Sequence, residues 1–292
     1  MRSHTHGLEY EEIEPLIPVN WENRKKNDVD VCNICLNVRQ LSEDHVPPKG
    51  ATEVHNIEVK MLFNNSRQYD NERSRFAQDG IKFKTICREC NSLLGEYDRE
   101  LINFVNSYKQ FAKSSIILPE RLTVPIKPNT IIRSFAGHML SSVLTPDEAR
   151  FGNEVRSIIF NREAPIPERW HVYYWHHPYL ETIIMKDISI MDPFNEHIEL
   201  GMCQILKFYP FAFLICDNSS YGHLNYLSKF KNRPADFTAN FSPIPFSTCP
   251  VHWPERFFGS PFTMNAMTVD QPGTRAVPKI KKKKLRNIKN RP

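Results

Sequence analysis

Two pairs of cysteines, Cys32-Asn33-Ile34-Cys35 and Cys87-Arg88-Glu89-Cys90, decide the fold of the N-terminal part of this chain. Two residues separate the thiols of each pair, so one tight turn can offer both sulfurs to a single metal ion. Two such turns complete a tetrahedral four-thiolate set, which suits Zn²⁺ and leaves no coordination position open. We therefore predict a structural zinc site at Cys32, Cys35, Cys87 and Cys90. A redox dithiol, an iron–sulfur cluster and four unrelated cysteines are the alternatives.

The residues around the second pair predict a strand that leads into a helix. Apolar and polar residues alternate from Ile81 to Ile86, which is typical of a β-strand. Beyond Cys90 the apolar residues recur at steps of three and four, which predicts an amphipathic helix of roughly 20 residues. These apolar residues are Leu94, Tyr97, Leu101, Phe104, Val105 and Tyr108. A strand that runs through a cysteine pair into a helix is typical of treble-clef zinc folds. The polar stretch from Asn64 to Gly80 is predicted to be a long loop.

Three polar residues flank the cysteine pairs in a pattern that suits phosphodiester hydrolysis. Asp44 and His45 lie between the pairs, and Asn91 directly follows the second pair. A histidine with a pKa near neutrality can take a proton from an attacking water. Carboxylate and amide oxygens are ligands that Mg²⁺ prefers, and a divalent ion can stabilise the charge that develops on the phosphate.

The order CxxC, Asp-His, CxxC-Asn resembles the HNH, or ββα-metal, nucleases, especially those of the phage recombination endonuclease VII type. The sequence Asp-His-Val-Pro-Pro-Lys from Asp44 to Lys49 is also similar to the EHVPPK variant of that family. The resemblance implies that Asp44 and Asn91 hold a catalytic Mg²⁺ or Mn²⁺ and that His45 is the general base. It also implies DNA as the substrate and a role in phage genomes, mobile elements or antiphage (antiviral) defence. It covers residues 31–113 and does not reach the C-terminal half.

Some positions depart from the common HNH pattern. Lys82 stands where an Asn is usual, and the nearby His55-Asn56 is a candidate substitute. Gly95, four residues after Asn91, cannot ligate a metal but could let a phosphate approach closely. Asp98 lies seven residues from Asn91, on the same helix face. We predict a solvated charge at Asp98, with an outer metal ligand as the alternative.

The whole chain is predicted to have an α+β fold with four segments. These are an N-terminal arm (1–30), a zinc-bound ββα domain (31–113), a mixed helix and antiparallel-sheet domain (114–274) and a basic disordered tail (275–292). In the third segment we predict helices over Asn129–Leu144 and from Pro146 to about Phe160. Predicted strands there are Trp170–His176, Thr182–Ile190, Ile198–Tyr209 and Phe211–Cys216. Cys203, Cys216 and Cys249 lack metal-like spacing and are predicted to be buried or free thiols.

Charge and hydropathy indicate where the protein acts and what it binds. The net charge is +5, and residues 275–292 hold nine basic and no acidic side chains. This tail is predicted to bind the phosphates of nucleic acid, or else only to aid solubility. No apolar run approaches the ~20 residues that cross a bilayer. The N-terminus lacks the apolar region of a secretory signal, so we expect a cytoplasmic protein without membrane contact. The predicted nucleic-acid contacts are Lys49, Arg88, Lys281, Lys282, Lys283 and Lys284.

The first hypothesis is therefore a metal-dependent DNA endonuclease with a structural zinc. The alternatives are a zinc-containing nucleic-acid-binding protein without catalysis and an RNase that uses the same site. The missing middle Asn and Gly95 favour the binding protein, whereas the Asp44-His45 pair favours an enzyme. A homodimer or a regulatory partner that binds residues 114–274 is also compatible with the sequence.

Overall fold

The structure is a computed structural model, and it describes only part of the chain. No helix of that part is long and apolar enough to span a bilayer. Most of the predicted arm lies outside the described residues, as do His55, Cys249 and Lys281, Lys282, Lys283 and Lys284. The described residues are 26–52, 56–61, 74–113, 123–144, 149, 151–190, 201–217, 221–222, 224–241, 253–254 and 273–278.

These residues form a mixed α+β fold with three helices and antiparallel sheets, which confirms the predicted class. The helices are α1 (Arg88–Ala112), α2 (Pro128–Ser141) and α3 (Gly152–Phe160). The strands are β1 (Val29–Val31), β2 (Val38–His45), β3 (Ile57–Met61), β4 (Arg75–Ala77), β5 (Lys82–Cys87), β6 (Val124–Ile126), β7 (His171–His176), β8 (Thr182–Ile190), β9 (Gly201–Phe208), β10 (Phe211–Cys216), β11 (Asn225–Tyr226), β12 (Ala239–Phe241) and β13 (Gly273–Pro278).

Strands β1, β2 and β5 form a small antiparallel sheet that leads directly into α1. Leu41 pairs with Cys87 and Asp44 pairs with Phe83, with a bulge between Ser42 and Glu43. The predicted strand before the second cysteine pair is confirmed, as is the helix after it, which has 25 residues. The apolar residues that predicted this helix are all buried, together with Cys90 and Lys109.

Helix α2 lies at the centre of the core, and every one of its residues is buried. It packs against α1, α3 and strands of both main sheets. The approach to α1 is close, because a Cβ atom on Gly137 would lie 2.3 Å from Leu94 Cδ1. Pro128 occupies the first turn of α2, where its missing N–H and fixed φ cost nothing. The helix predicted over Asn129–Leu144 is thus confirmed with small shifts at its ends.

The second sheet has eight antiparallel strands in the order β11-β7-β10-β9-β8-β13-β3-β4. Its inner strand β10 is buried at every position, because successive side chains face two different apolar clusters. One cluster contains Phe211 and Phe213 and is continuous with the helices. The other contains Ala212 and Leu214 and lies on the opposite face.

This large sheet does not follow the predicted segment boundaries. Strands β3 and β4 belong to the predicted ββα domain, yet β3 pairs with β13, which pairs with β8 of the following segment. Arg75–Ala77 forms strand β4 within the stretch that was predicted to be a loop. Arg275–Pro278 pairs within β13, so the prediction that the disordered tail begins at residue 275 is wrong. Long-range strand pairing, which local composition does not reveal, accounts for these differences.

Candidate metal centre and the Asp44–His45 site

The four cysteines of the two CxxC pairs form one cluster. Their Sγ atoms all lie within 4.8 Å of one another, and Cys35 Sγ is 3.9 Å from Cys87 Sγ. Four sulfurs bound tetrahedrally at about 2.3 Å from Zn²⁺ are about 3.8 Å apart, so the spacing fits this ion. Among the described residues, this is the only group of three or more Cys, His, Asp or Glu side chains with converging ligand atoms.

The close approach of these thiols shifts their pKa values in opposite directions. The hydrogen bond from the Cys90 thiol lowers the pKa of Cys32 to about 4, and it raises the pKa of Cys90 well above its usual range. Burial raises the pKa of Cys87 to about 11. The protein alone therefore stabilises one thiolate and opposes the next, whereas a divalent thiophilic ion can hold all four.

Local structure at each cysteine pair explains how the sulfurs meet. The first pair forms the turn of the β1–β2 hairpin, where the Leu36 N–H donates to the Cys32 carbonyl at 2.9 Å. Leu36 adopts a positive φ of 59°, which an ordinary side chain rarely adopts and which tightens this turn. In the second pair, Cys87 ends β5 and Cys90 lies in the first turn of α1. The N–H of Cys87 donates to Cys32 Sγ at 3.2 Å, which joins the two turns.

Asn33, inside the first cysteine pair, ties the cluster to α2. Its side-chain amide donates to the carbonyls of Leu140 at 2.9 Å and Val143 at 2.6 Å, at the C-terminal end of that helix. The guanidinium of Arg156 on α3 donates to the Asn33 carbonyl at 2.9 Å. Because Asn33 is fully buried, these bonds fix the first turn against the helical core.

Asp44 lies on β2 and faces α2. Its side chain is buried, with 4% of the residue exposed. Its Oδ2 atom accepts a hydrogen bond from Ser141 Oγ at 2.6 Å and lies 3.0 Å from His138 Nδ1. The other nitrogen of His138 lies 2.8 Å from Asp98 Oδ1, which also accepts from Ser134 Oγ at 2.6 Å. A buried histidine thus joins the two carboxylates.

The contacts of this histidine favour its protonated form. Both of its ring nitrogens face carboxylate oxygens, and only the imidazolium can donate from both. Burial favours the neutral ring, but the carboxylates of Asp98 and Asp44 outweigh it and raise the pKa of His138 to about 10. The prediction that Asp98 is a solvated charge is wrong, because α2 covers its side chain and leaves 15% exposed.

Asn91 is the fourth residue of α1, and its amide bonds to the strand that carries Asp44. The Nδ2 atom donates to the Glu43 carbonyl at 3.0 Å and to Ser42 Oγ at 3.2 Å. No residue of the described segments donates a hydrogen bond to Oδ1 of Asn91 or to Oδ1 of Asp44. These two oxygens belong to neighbouring elements, which the Asn91 amide holds together.

His45 ends β2, and its side chain leaves the strand on the face opposite to Asp44. The side chain is 22% exposed, and Nε2 lies 3.4 Å from Asp79 Oδ2. That distance is longer than an ordinary hydrogen bond. The same carboxylate oxygen lies 3.4 Å from the ammonium groups of Lys49 and of Lys82. His45 therefore sits beside a small group of opposite charges that solvent can reach.

The remaining predicted site residues are less constrained. The Lys49 side chain is 66% exposed, and Arg88 is exposed at the start of α1. Lys82, which stands where HNH nucleases have an Asn, pairs with His45 in the sheet and donates to Glu43 at 3.1 Å. A Cβ on Gly95 would meet no atom within 4 Å, so packing does not require a glycine there. Asn56 is exposed just before β3.

Comparisons with protein-family models, with curated proteins and with solved structures found no match to this chain. The resemblance to HNH nucleases therefore stays a prediction from the motif residues.

Sequence reasoning missed Asn33, Asp79 and the polar stripe of α2. Ser134, His138 and Ser141 are spaced by four and three residues along a largely apolar helix. This spacing places them on one helix face, which was the available signal that α2 has polar partners in the core. The partners themselves lie 36–97 residues away along the chain, beyond the reach of any local pattern.

Proposed function

We propose that this protein is a divalent-metal-dependent endonuclease of the HNH type that hydrolyses phosphodiester bonds in DNA. The observation that carries the proposal is the bond from the Asn91 amide to the Glu43 carbonyl, directly before Asp44-His45. It holds the residue after the second cysteine pair beside the predicted catalytic pair. The cysteine cluster supports both elements, because its member Cys87 directly precedes α1 and pairs with Leu41 of β2.

His45 is the proposed general base. With the Nε2 proton directed at Asp79, the Nδ1 lone pair can accept a proton from an attacking water. Among the described residues, none forms a hydrogen bond with His45 Nδ1. Asp79 would then orient the imidazole.

Asp44 and Asn91 are the proposed ligands of Mg²⁺ or Mn²⁺. Their Oδ1 atoms are hard oxygen donors without a described partner, which fits either ion. Hydrogen bonds on the other carboxylate oxygen, from Ser141 and His138, are also usual for a ligating carboxylate. A divalent ion bound there would stabilise the charge that develops on the phosphate.

Nucleic acid is the proposed partner, and the ammonium groups of Lys49 and Lys82 lie near His45, each 3.4 Å from the same Asp79 oxygen. Lys49 is exposed beside Asp79, and Arg88 extends from the start of α1. Lys281, Lys282, Lys283 and Lys284 would add affinity without sequence preference. A homodimer, or a regulatory partner bound through residues 114–274, stays part of the hypothesis.

One observation favours a second candidate, a zinc-containing nucleic-acid-binding protein without catalysis. Asp44 is almost completely buried, and its Oδ2 is already paired with the His138 imidazolium. If that pair neutralises Asp44, the carboxylate serves only to fix α2 on β2.

The two candidates differ in whether nucleic acid is cleaved. Full-length, zinc-loaded protein is incubated with supercoiled plasmid and with RNA of matched sequence, in Mg²⁺, in Mn²⁺ and without divalent ion. We expect nicked and linear plasmid only when Mg²⁺ or Mn²⁺ is present, with the zinc content unchanged. If the protein slows the migration of the nucleic acid on a native gel but cleaves neither polymer, the result would favour the binding protein. Cleavage of RNA alone would indicate an RNase.

A further inference from the structure

Among the described residues, every hydrogen-bonding partner of the Asp44 side chain comes from α2, which lies outside the segment that resembles HNH nucleases. We propose that Ser141 and His138 of α2 are positioning residues that turn Asp44 so that its Oδ1 atom can bind the divalent ion. This inference rests on the proposed function and extends it, because it makes α2 a part of the metal site.

The bonds to Oδ2 restrict the rotation of the carboxylate. Ser141 Oγ lies 2.6 Å from Asp44 Oδ2 and 2.9 Å from the His138 carbonyl, and it has one proton to share between them. The shorter distance to the charged acceptor favours the bond to Asp44. Together with His138 Nδ1 at 3.0 Å, it holds Oδ2 on the α2 side and leaves Oδ1 for another ligand.

His138 cannot swing away from this position. Its ring is buried, and the opposite nitrogen is fixed by Asp98 Oδ1 at 2.8 Å. Asp98 is held in turn by Ser134 Oγ, one helical turn before His138.

The cysteine cluster holds α2 in the place that this role requires. The Asn33 amide binds the carbonyls of Leu140 and Val143, on either side of Ser141 in the sequence. The hydroxyl of Thr85, on β5, donates to the carbonyl of Ser141 itself. The cysteine cluster is therefore connected to Asp44 by hydrogen bonds to the end of α2, in addition to its connection through β2.

Ser141→Ala tests the positioning role, with Ser142→Ala as its matched control. Both hydroxyls are buried and both approach the carbonyl three residues earlier, but only Ser141 reaches Asp44. The dissociation constant of Mn²⁺ is measured for each full-length, zinc-loaded variant from the electron paramagnetic resonance signal of free Mn²⁺, without nucleic acid. We expect Mn²⁺ to bind about 10–100-fold more weakly to Ser141→Ala, and Ser142→Ala to match wild type.

Melting temperatures and zinc content separate positioning from loss of fold. Both variants are expected to keep their zinc and to lose similar, small amounts of stability. The two variants could bind Mn²⁺ with equal affinity while the wild-type protein binds it through Asp44. That result would overturn the role of Ser141 and leave the nuclease proposal standing. Wild-type protein that binds no Mn²⁺ and cleaves nothing would overturn both.

Discussion

Cys87→Ser is expected to release the zinc and unfold the N-terminal half of the protein. Structural zinc sites contribute an apparent binding free energy of about 10–16 kcal/mol. Whole domains are stable by only about 5–15 kcal/mol, so loss of the ion outweighs what packing can supply. Cys87 also joins the end of β5 to the start of α1, and it donates a backbone hydrogen bond to Cys32. Zinc content measured by atomic absorption should fall to near zero, together with loss of the cooperative thermal transition.

Cys216→Ser is the matched control for this effect. Cys216 is buried in β10 and lies outside the metal cluster. A hydroxyl in that apolar strand costs about 1–3 kcal/mol, but the zinc should remain bound. A Cys87→Ser protein with stoichiometric zinc and the wild-type melting temperature would mean that the cluster does not hold the fold together.

His45→Ala is expected to abolish most of the cleavage while leaving the protein folded. General-base catalysis contributes about 10²–10⁴-fold to the rate, so the initial rate of plasmid nicking should fall by that factor. Stability should change little, because the side chain is partly exposed and its approach to Asp79 is long. The measurement is the nicking rate in Mg²⁺, with the melting temperature and zinc content of the same preparation.

His171→Ala provides the control for the loss of an imidazole. His171 is also partly buried, and it approaches one partner, Tyr226, at 3.4 Å in the large sheet. We expect its nicking rate to equal that of wild type. Nicking at the wild-type rate by His45→Ala would point to a contaminant or to another active site, and the proposed role of His45 would be lost.

The N-terminal elements could be predicted because their signals are local. The two-residue spacers of the cysteine pairs fix how the thiols can meet, and the sulfur distances in the structure agree with that geometry. The spacing of apolar residues changes from two before Cys87 to three or four beyond Cys90, and the structure places the junction of β5 and α1 at Cys87. Asn91 lies beside β2 for the same local reason, since it occupies the first turn of a helix that starts at the cluster.

The surroundings of Asp44 could not be predicted, because they depend on how distant elements pack. His138 and Ser141 meet Asp44 across 94 and 97 residues of chain, and only the burial of α2 brings them together. The same reason explains why Asp98 was correctly placed on the helix but wrongly predicted to be solvated, since α2 covers its side chain. Strand β13 likewise depends on open edges of β3 and β8, which the composition of residues 275–278 does not reveal.

The position of Mn²⁺ in crystals of the zinc-loaded protein tests the central claim most directly. Crystals soaked in Mn²⁺ would be measured for anomalous scattering, with a second data set at the zinc edge to locate the ion among the four cysteines. We predict one manganese peak about 2 Å from Oδ1 of Asp44 and from Oδ1 of Asn91. A filled zinc site with no manganese at Asp44 and Asn91, or with manganese bound only elsewhere, would contradict the proposed catalytic site.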